Sequence, residues 1–201
     1  MLKIHGTSMS RTGRVLWMAE EVGVKFEHIP TPIADAKSPA HLKVNPNGHV
    51  PVIDDDGFVL YESMAINFYL AAKYGKAPLW PESLQGRALA NQWSYWAMLE
   101  VEPHLVTLLR NRMFLPPDQR DEKAAAVAAD ALKAPLQVIE QYLSGRDYIL
   151  GKEFTIADLN VASVWYIGQM VQLDFSAAPK TAEWLAKCTS RPANERGQLY
   201  K

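Results

Sequence analysis

Hydrophobic positions change their period several times in the first 75 residues, then settle into one period for the rest of the chain. Leu2 to His5 reads as a short strand, followed by a small polar loop from Gly6 to Ser10. From Arg11 to Val22 the apolar positions Val15, Leu16, Met18, Ala19 and Val22 fall at helical spacing, and Gly23 stops the helix. Phe26 to Ile29 is a second strand, Thr31 to Pro39 is loose and Pro-rich, and His41 to Val44 suits one helical turn. Two more short strands come next, the first from Val52 and the second over Phe58 to Leu60. A helix from Ser63 to Lys73 then ends at Tyr74-Gly75. Short strands alternating with helices point to βαβ-type units.

The segment Lys76 to Glu82 holds two prolines and no period, so it reads as a linker. Everything beyond it is helical in pattern. Leu84 to Met113 is long enough for about 45 Å of helix, with a kink expected at Pro103. Asp121 to Leu143 is Ala-rich with a bend expected at Pro135, Thr155-Ile-Ala-Asp158 opens a helix as a capping box, and a last helix runs from Thr181 to Thr189 and stops at Arg191-Pro192. The expected organisation is α/β plus all-α: an α/β domain over 1–75, a linker over 76–83 and an all-helical domain over 84–201.

Composition narrows the function by exclusion. Of 201 residues 48% are hydrophobic and 21% charged, with a net charge of −1, which gives no electrostatic case for nucleic acid or an anionic membrane. No apolar run approaches the roughly 20 residues of a membrane span, and no basic-then-apolar N-terminal segment is present. A single cysteine, Cys188, excludes an internal disulfide framework and fits a reducing compartment, so the expected location is the cytoplasm. Cys188 lies among Trp184, Leu185 and Thr189, as a buried thiol would. The five histidines show no metal-ligand spacing.

One stretch carries chemistry. Asn47-Gly48-His49-Val50-Pro51-Val52-Ile53 reads as a turn entering a strand through a Val-Pro bond. Proline cannot give an N–H to a sheet, so it needs a reason to stand at a strand entrance. A cis peptide would turn the preceding backbone outward and leave Val50's N–H and C=O free to pair with an extended peptide. Glu62-Ser63 opens the following helix, where a hydroxyl and free N–H groups can hold a carboxylate. Ser63 suits a plain N-cap as well. Together these features describe a site for a short anionic peptide.

These marks resemble those of the glutathione S-transferase family over essentially the whole chain: Asn45-Pro-Asn-Gly-His-Val-Pro51, Glu62-Ser63, Thr155-Ile-Ala-Asp158 and Arg191-Pro192-Ala193. The resemblance implies a thioredoxin-like N-terminal domain, a helical C-terminal domain and usually a homodimer. It also implies conjugation of glutathione, as co-substrate and without a prosthetic group or metal, to small hydrophobic electrophiles. On that basis Ser63 meets the γ-glutamyl carboxylate, Glu62 the amine, and Val50 pairs with the cysteinyl unit while Pro51 enforces the geometry. His49 stands where the family often carries a lysine for the glycyl carboxylate.

The thiolate is the nucleophile, and a free thiol near pKa 8.5 is only about 3% ionised at pH 7. A hydroxyl at the start of the first helix is the expected donor, and Thr7, Ser8, Ser10 and Thr12 all stand there. Ser10, just before the helix, is the first choice, with Thr12 and Ser8 as fallbacks. Several classes of the family place the active residue six positions before the valine matching Val15, and that position is Met9, which cannot donate. The loop has no tyrosine, which disfavours the Tyr-type classes, and no cysteine, which disfavours thiol transfer.

In the family the electrophile lies against the long helix after the linker. There Tyr95, Met98, Leu99 and Glu102 share a face by spacing, with Met9 as the opposing wall; plain core is the competing reading. Trp93 and Trp96 read as packing residues, and Arg110 and Arg112 suit either an acidic substrate or solvent. Two rival functions remain: a glutathione-dependent isomerase or dehalogenase on the same scaffold, and a non-catalytic interaction protein that binds glutathione poorly.

Overall fold

The computed structural model describes residues 1–201, which form two compact units, Met1–Trp80 with Ser190–Lys201 and Pro81–Thr189. The first unit contains strands β1 (Leu2–His5), β2 (Phe26–Ile29), β3 (Val52–Asp55) and β4 (Phe58–Tyr61). They form one sheet in the order β2-β1-β3-β4, with β1 parallel to β2 and antiparallel to β3, and β3 antiparallel to β4. Helices α1 (Thr12–Val22), α2 (Pro39–Leu42) and α3 (Ser63–Tyr74) occupy the expected positions within a residue or two. The fold class is the thioredoxin-like domain plus helical domain expected. Leu2 and Ile4 of β1, Val15, Leu16 and Met18 of α1, Val52 and Ile53 of β3, and Ile66 and Leu70 of α3 are buried together as its core.

A buried carboxylate ties the sheet to α3. Asp55, the last residue of β3, accepts hydrogen bonds from Tyr69 (2.8 Å), Tyr74 (2.9 Å) and Lys73 (2.6 Å). Burial pushes the Asp55 carboxyl upward, but these donors outweigh it and hold the group below the usual carboxylate range.

The boundaries differ from the sequence expectation at the C-terminal end. A further helix, α10 (Pro192–Gly197), comes after the last one expected, and it belongs with the first unit. Pro192 begins this helix rather than stopping the previous one, because proline at the first helical position lacks only an N–H that would be unpaired anyway. Gly197 permits the docking. A Cβ there would lie 2.9 Å from the Trp17 backbone nitrogen of α1. Arg191 grips Glu21 through two guanidinium nitrogens, and Arg196 donates to Glu20 at 2.6 Å.

The second unit contains α4 (Leu84–Trp96), α5 (Glu102–Leu109), α6 (Glu122–Ala131), α7 (Lys133–Leu143), α8 (Ile156–Met170) and α9 (Pro179–Thr189). The single helix expected over 84–113 is interrupted by wide π-type turns at Ala97–Val101 and Arg110–Phe114. The bend expected at Pro135 falls at Leu132 instead, between α6 and α7, since the proline ring excludes the carbonyl one turn earlier. Helix α8 runs through the core with Ile156 to Val161 all buried. Its capping box forms as read, and Asp158 does more than cap. It accepts from Thr155 N–H and Oγ1 and, with the other oxygen, from the Ile149 N–H (2.8 Å) and Trp184 Nε1 (3.0 Å). Burial still pushes this carboxyl up. Cys188 is buried in α9, and Trp93 packs edge-on against Trp96.

Candidate functional site

Sheet register gathers the candidate residues of the first unit. His5 ends β1 opposite Val52, which begins β3, and Val52 lies opposite Tyr61, which ends β4. The loop after β1, the segment before β3 and the turn after β4 therefore leave the sheet at one edge. Helices α1 and α3 both begin at that edge, so two positive dipole ends collect there; the first N–H groups of α1 are taken up by Ser10, while those of α3 are not bonded within the chain.

The segment before β3 is held from behind. Asn45 accepts from the Asn47 N–H (3.0 Å) and donates Nδ2 to the His49 carbonyl (2.8 Å), and His41 Nε2 reaches the same carbonyl at 2.9 Å. His41 carries no signal in the sequence, and Asn45 stands there only as the first residue of the Asn45-to-Pro51 motif, although each is the kind of buried polar residue that must find a partner. The ring of His5 lies 6.3 Å from that of His41. Burial first, and this neighbour second, hold the His5 imidazole below its ordinary range. The Val50-Pro51 bond is cis, and the backbone N–H and C=O of Val50 make no hydrogen bond within the chain. His49 is exposed and Pro51 buried.

At the start of α3, Glu62 is exposed with φ 74° and ψ 111°, a conformation few non-glycine residues adopt. It occupies the N-cap position and its side chain caps nothing. Ser63 is thus the first helical residue, not the cap, and its buried hydroxyl bonds no helix N–H. It lies 3.4 Å from Arg14 Nη1 instead. Arg14 itself is buried in α1, and its carbonyl accepts from Asn67 Nδ2 (3.3 Å). A guanidinium stays charged under all relevant conditions, so Ser63 sits beside a fixed positive charge. Sequence reading missed Arg14 because its partner is 49 residues away.

The hydroxyl-rich loop separates its candidates. Ser10 is half-buried; its Oγ lies 2.9 Å from both the Thr7 carbonyl and Thr12 Oγ1 and accepts from the Thr12 N–H (3.1 Å). It has one proton and two internal acceptors, so it can turn that proton to a ligand by giving up one weak bond. Thr12 is fully buried. Ser8 donates to the Gln198 carbonyl at 3.2 Å, and Met9 is exposed at the tip. Gly13 lets the loop close on the helix, since a Cβ there would meet the Ser8 carbonyl oxygen at 2.6 Å.

On the second unit, Tyr95 and Leu99 are exposed and Met98 is half-buried, but Glu102 is only 1% exposed. The shared face expected of these four residues does not form. The π-type turn over 97–101 adds a residue to the helical repeat and rotates the residues beyond it by about 100°, turning Glu102 inward. Arg112 donates to the Val171 carbonyl, and Arg110 is exposed. No cluster of three or more His, Cys, Asp or Glu side chains could hold a metal ion, and no helix is long and apolar enough to cross a membrane.

The first unit thus offers an unpaired peptide edge, a helix start with a hydroxyl beside a guanidinium, and a second helix start with a hydroxyl. Comparison with known proteins identifies the family. The N-terminal domain model of glutathione S-transferases matches residues 2–72 and the C-terminal domain model matches 99–192. Glutathione S-transferase GstB of Escherichia coli K12 is 33% identical over 154 residues, covering 76% of this chain and 74% of the relative. Glutathione S-transferase F12 of Arabidopsis thaliana is 32% identical over 213 residues, covering 96% and 95%. Among solved structures, the theta class glutathione S-transferase of Xanthomonas axonopodis pv. citri with glutathione bound superposes with a TM-score of 0.92 at 30% identity, covering 100% of this chain and 98% of that one. Glutathione transferase F7 from Populus trichocarpa gives 0.90 at 26% identity, covering 99% and 98%. The chain belongs to the glutathione S-transferase family.

Proposed function

We propose that the protein binds glutathione along this sheet edge and conjugates it, through its thiolate sulfur, to small hydrophobic electrophiles. The observation that carries the reading is the unpaired backbone of Val50 at the same edge as the Ser63 hydroxyl. An extended peptide pairs its cysteinyl N–H and C=O with Val50, as an added strand would. The γ-glutamyl carboxylate then lies on Ser63 and the first N–H groups of α3, with Arg14 behind them, and Glu62 faces the amine. His49 is exposed on the side of Val50 away from Pro51, where the glycyl carboxylate runs, and Pro51 shapes the strand entrance without touching the ligand.

Thiol activation falls to Ser10, with Ser8 as the alternative; the burial of Thr12 counts against it. Lowering a thiol pKa from 8.5 by two units needs about 2.7 kcal/mol of differential stabilisation. One hydrogen bond to a charged sulfur supplies about 1.5–3 kcal/mol and a helix N-terminus up to about 1 kcal/mol, so a single hydroxyl at the start of α1 suffices. The thiol proton leaves to solvent, and the sulfur lone pair forms a new C–S bond at the electrophile. In displacement the leaving group departs with its bonding electrons; in addition the resulting carbanion takes a proton from water. Met9, exposed at the loop tip, gives an apolar group on the same loop as the thiol-activating hydroxyl. The working form is a homodimer in the cytoplasm.

Turnover of an activated aryl halide with glutathione tests the reading. Stoichiometric consumption of glutathione with halide release supports transfer. Halide release with glutathione regenerated in each cycle, water replacing the halide, would support a dehalogenase instead, and no turnover with any electrophile would leave a binding protein.

A further inference from the structure

The hydroxyl-rich loop is anchored from an unexpected direction. Its Ser8 donates its N–H to the Tyr200 carbonyl at 2.9 Å and its hydroxyl to the Gln198 carbonyl at 3.2 Å. These partners are 190 or more residues away in sequence but lie in the same compact unit. The Tyr200 ring packs 5.2 Å from His28 and 5.1 Å from Phe26, both on β2, and its hydroxyl donates to Glu20 of α1 at 2.7 Å. His28 in turn reaches the Gly6 carbonyl with Nε2 at 2.7 Å. Tyr200 therefore touches the loop directly at Ser8 and indirectly, through His28, at Gly6.

We infer that residues Gln198 to Tyr200 form a strap that positions the thiol-activating loop, making the C-terminal segment a determinant of thiolate stabilisation. The inference rests on the reading that this loop supplies the hydrogen bond to sulfur. Ser8 is two residues from Ser10, and its carbonyl lies against Gly13 in the first turn of α1. Ser10 and the first turn of α1 are thereby set relative to one another by a residue that the strap holds. A hydroxyl aimed at a developing charge is effective only when it is held in place beforehand, so freeing Ser8 lowers the hydroxyl's contribution to the thiolate. The peptide and carboxylate contacts at Val50 and Ser63 come from other segments and do not depend on the strap. Loss of the strap should therefore separate thiol activation from glutathione affinity, which general destabilisation would not do.

The test deletes residues 198–201, leaving α10 and its ion pairs with Glu20 and Glu21, alongside Tyr200→Ala and Tyr200→Phe in the full chain. For each, absorbance near 240 nm against pH gives the bound-thiol pKa, titration gives the glutathione Kd, and amide exchange reports on Ser8. The deletion should raise the bound-thiol pKa by about one unit, a roughly tenfold loss of thiolate at low pH, with Kd within about threefold. Ser8 amide exchange should accelerate. Tyr200→Ala should move the pKa the same way by less, and Tyr200→Phe, which keeps the ring on His28, should restore most of it. If the deletion fails to fold, Tyr200→Ala decides: a raised pKa supports the strap, and an unchanged pKa overturns it. A thiol pKa lowered in the intact protein and equally lowered in the deletion overturns the strap alone. A thiol left at its free pKa by the intact protein overturns the functional reading, and the strap falls with it.

Discussion

Ser63→Ala separates the two roles a serine can play at the start of a helix. Were Ser63 an N-cap, alanine would cost about 1 kcal/mol of stability. The cap position belongs to Glu62, however, and the Ser63 hydroxyl bonds no N–H of α3. It approaches Arg14 Nη1 at 3.4 Å, a long and weak bond. Thermal unfolding should therefore show a loss of well under 1 kcal/mol. Binding should respond differently. A hydroxyl hydrogen bond to a carboxylate is worth about 1.5–3 kcal/mol, which converts to a glutathione Kd roughly 10- to 150-fold weaker. The free N–H groups of α3 and the Arg14 charge remain, so binding weakens without vanishing. Calorimetric titration of both proteins gives the ratio. A Kd within twofold of the unaltered protein, or a stability loss of 1 kcal/mol or more, would refute the placement of the carboxylate on Ser63.

Three further substitutions probe the packing. Gly13→Ala gains nearly 1 kcal/mol of helix propensity, yet the added Cβ meets the Ser8 carbonyl at 2.6 Å. The variant should melt lower, not higher, and lose about tenfold in turnover as the loop shifts. Asp55→Ala removes the acceptor shared by Tyr69 and Tyr74, at a cost of about 2–3 kcal/mol in denaturant unfolding. Because the folded-state pKa of Asp55 is depressed, its contribution is present above the unfolded carboxylate value and lost as pH falls through the lower folded one. The unaltered protein should thus lose this stability below about pH 4, and the variant's acid limb should be flatter. Asp158→Ala leaves the Ile149 and Thr155 amides and Trp184 Nε1 buried without their acceptor, which should cost about 3–5 kcal/mol and register as a large fall in Tm.

Local signals carried most of the first unit. Gly23 ended α1, the apolar runs marked β1, β2 and β3, and the Val-Pro bond with Glu62-Ser63 pointed to the edge where an anionic peptide would lie. Features with no local signature stayed hidden. A π-type turn inserts one residue into a helix without disturbing the hydrophobic composition around it, so regular spacing puts Glu102 on a face with Tyr95 and Leu99 that the turn over 97–101 abolishes. Pro192 signals a stop and a start equally well, and only the close approach of Gly197 to Trp17 distinguishes them. Arg14, His41 and Asn45 act through partners that the sequence does not pair with them. The hydroxyls of the first loop look equivalent as letters. Burial separates them, since Thr12 is enclosed, Ser8 is tied to the C-terminal segment, and Ser10 has a proton with a choice of acceptors.

The most direct test of the account is the pKa of the glutathione thiol on the intact protein, read from thiolate absorbance near 240 nm across pH at saturating glutathione. A value about two units below that of the free thiol is the prediction, and Ser10→Ala should raise it while leaving affinity nearly unchanged. A bound thiol that titrates at its free value, or no binding at millimolar glutathione, would contradict the assignment of this edge as a thiol-activating site.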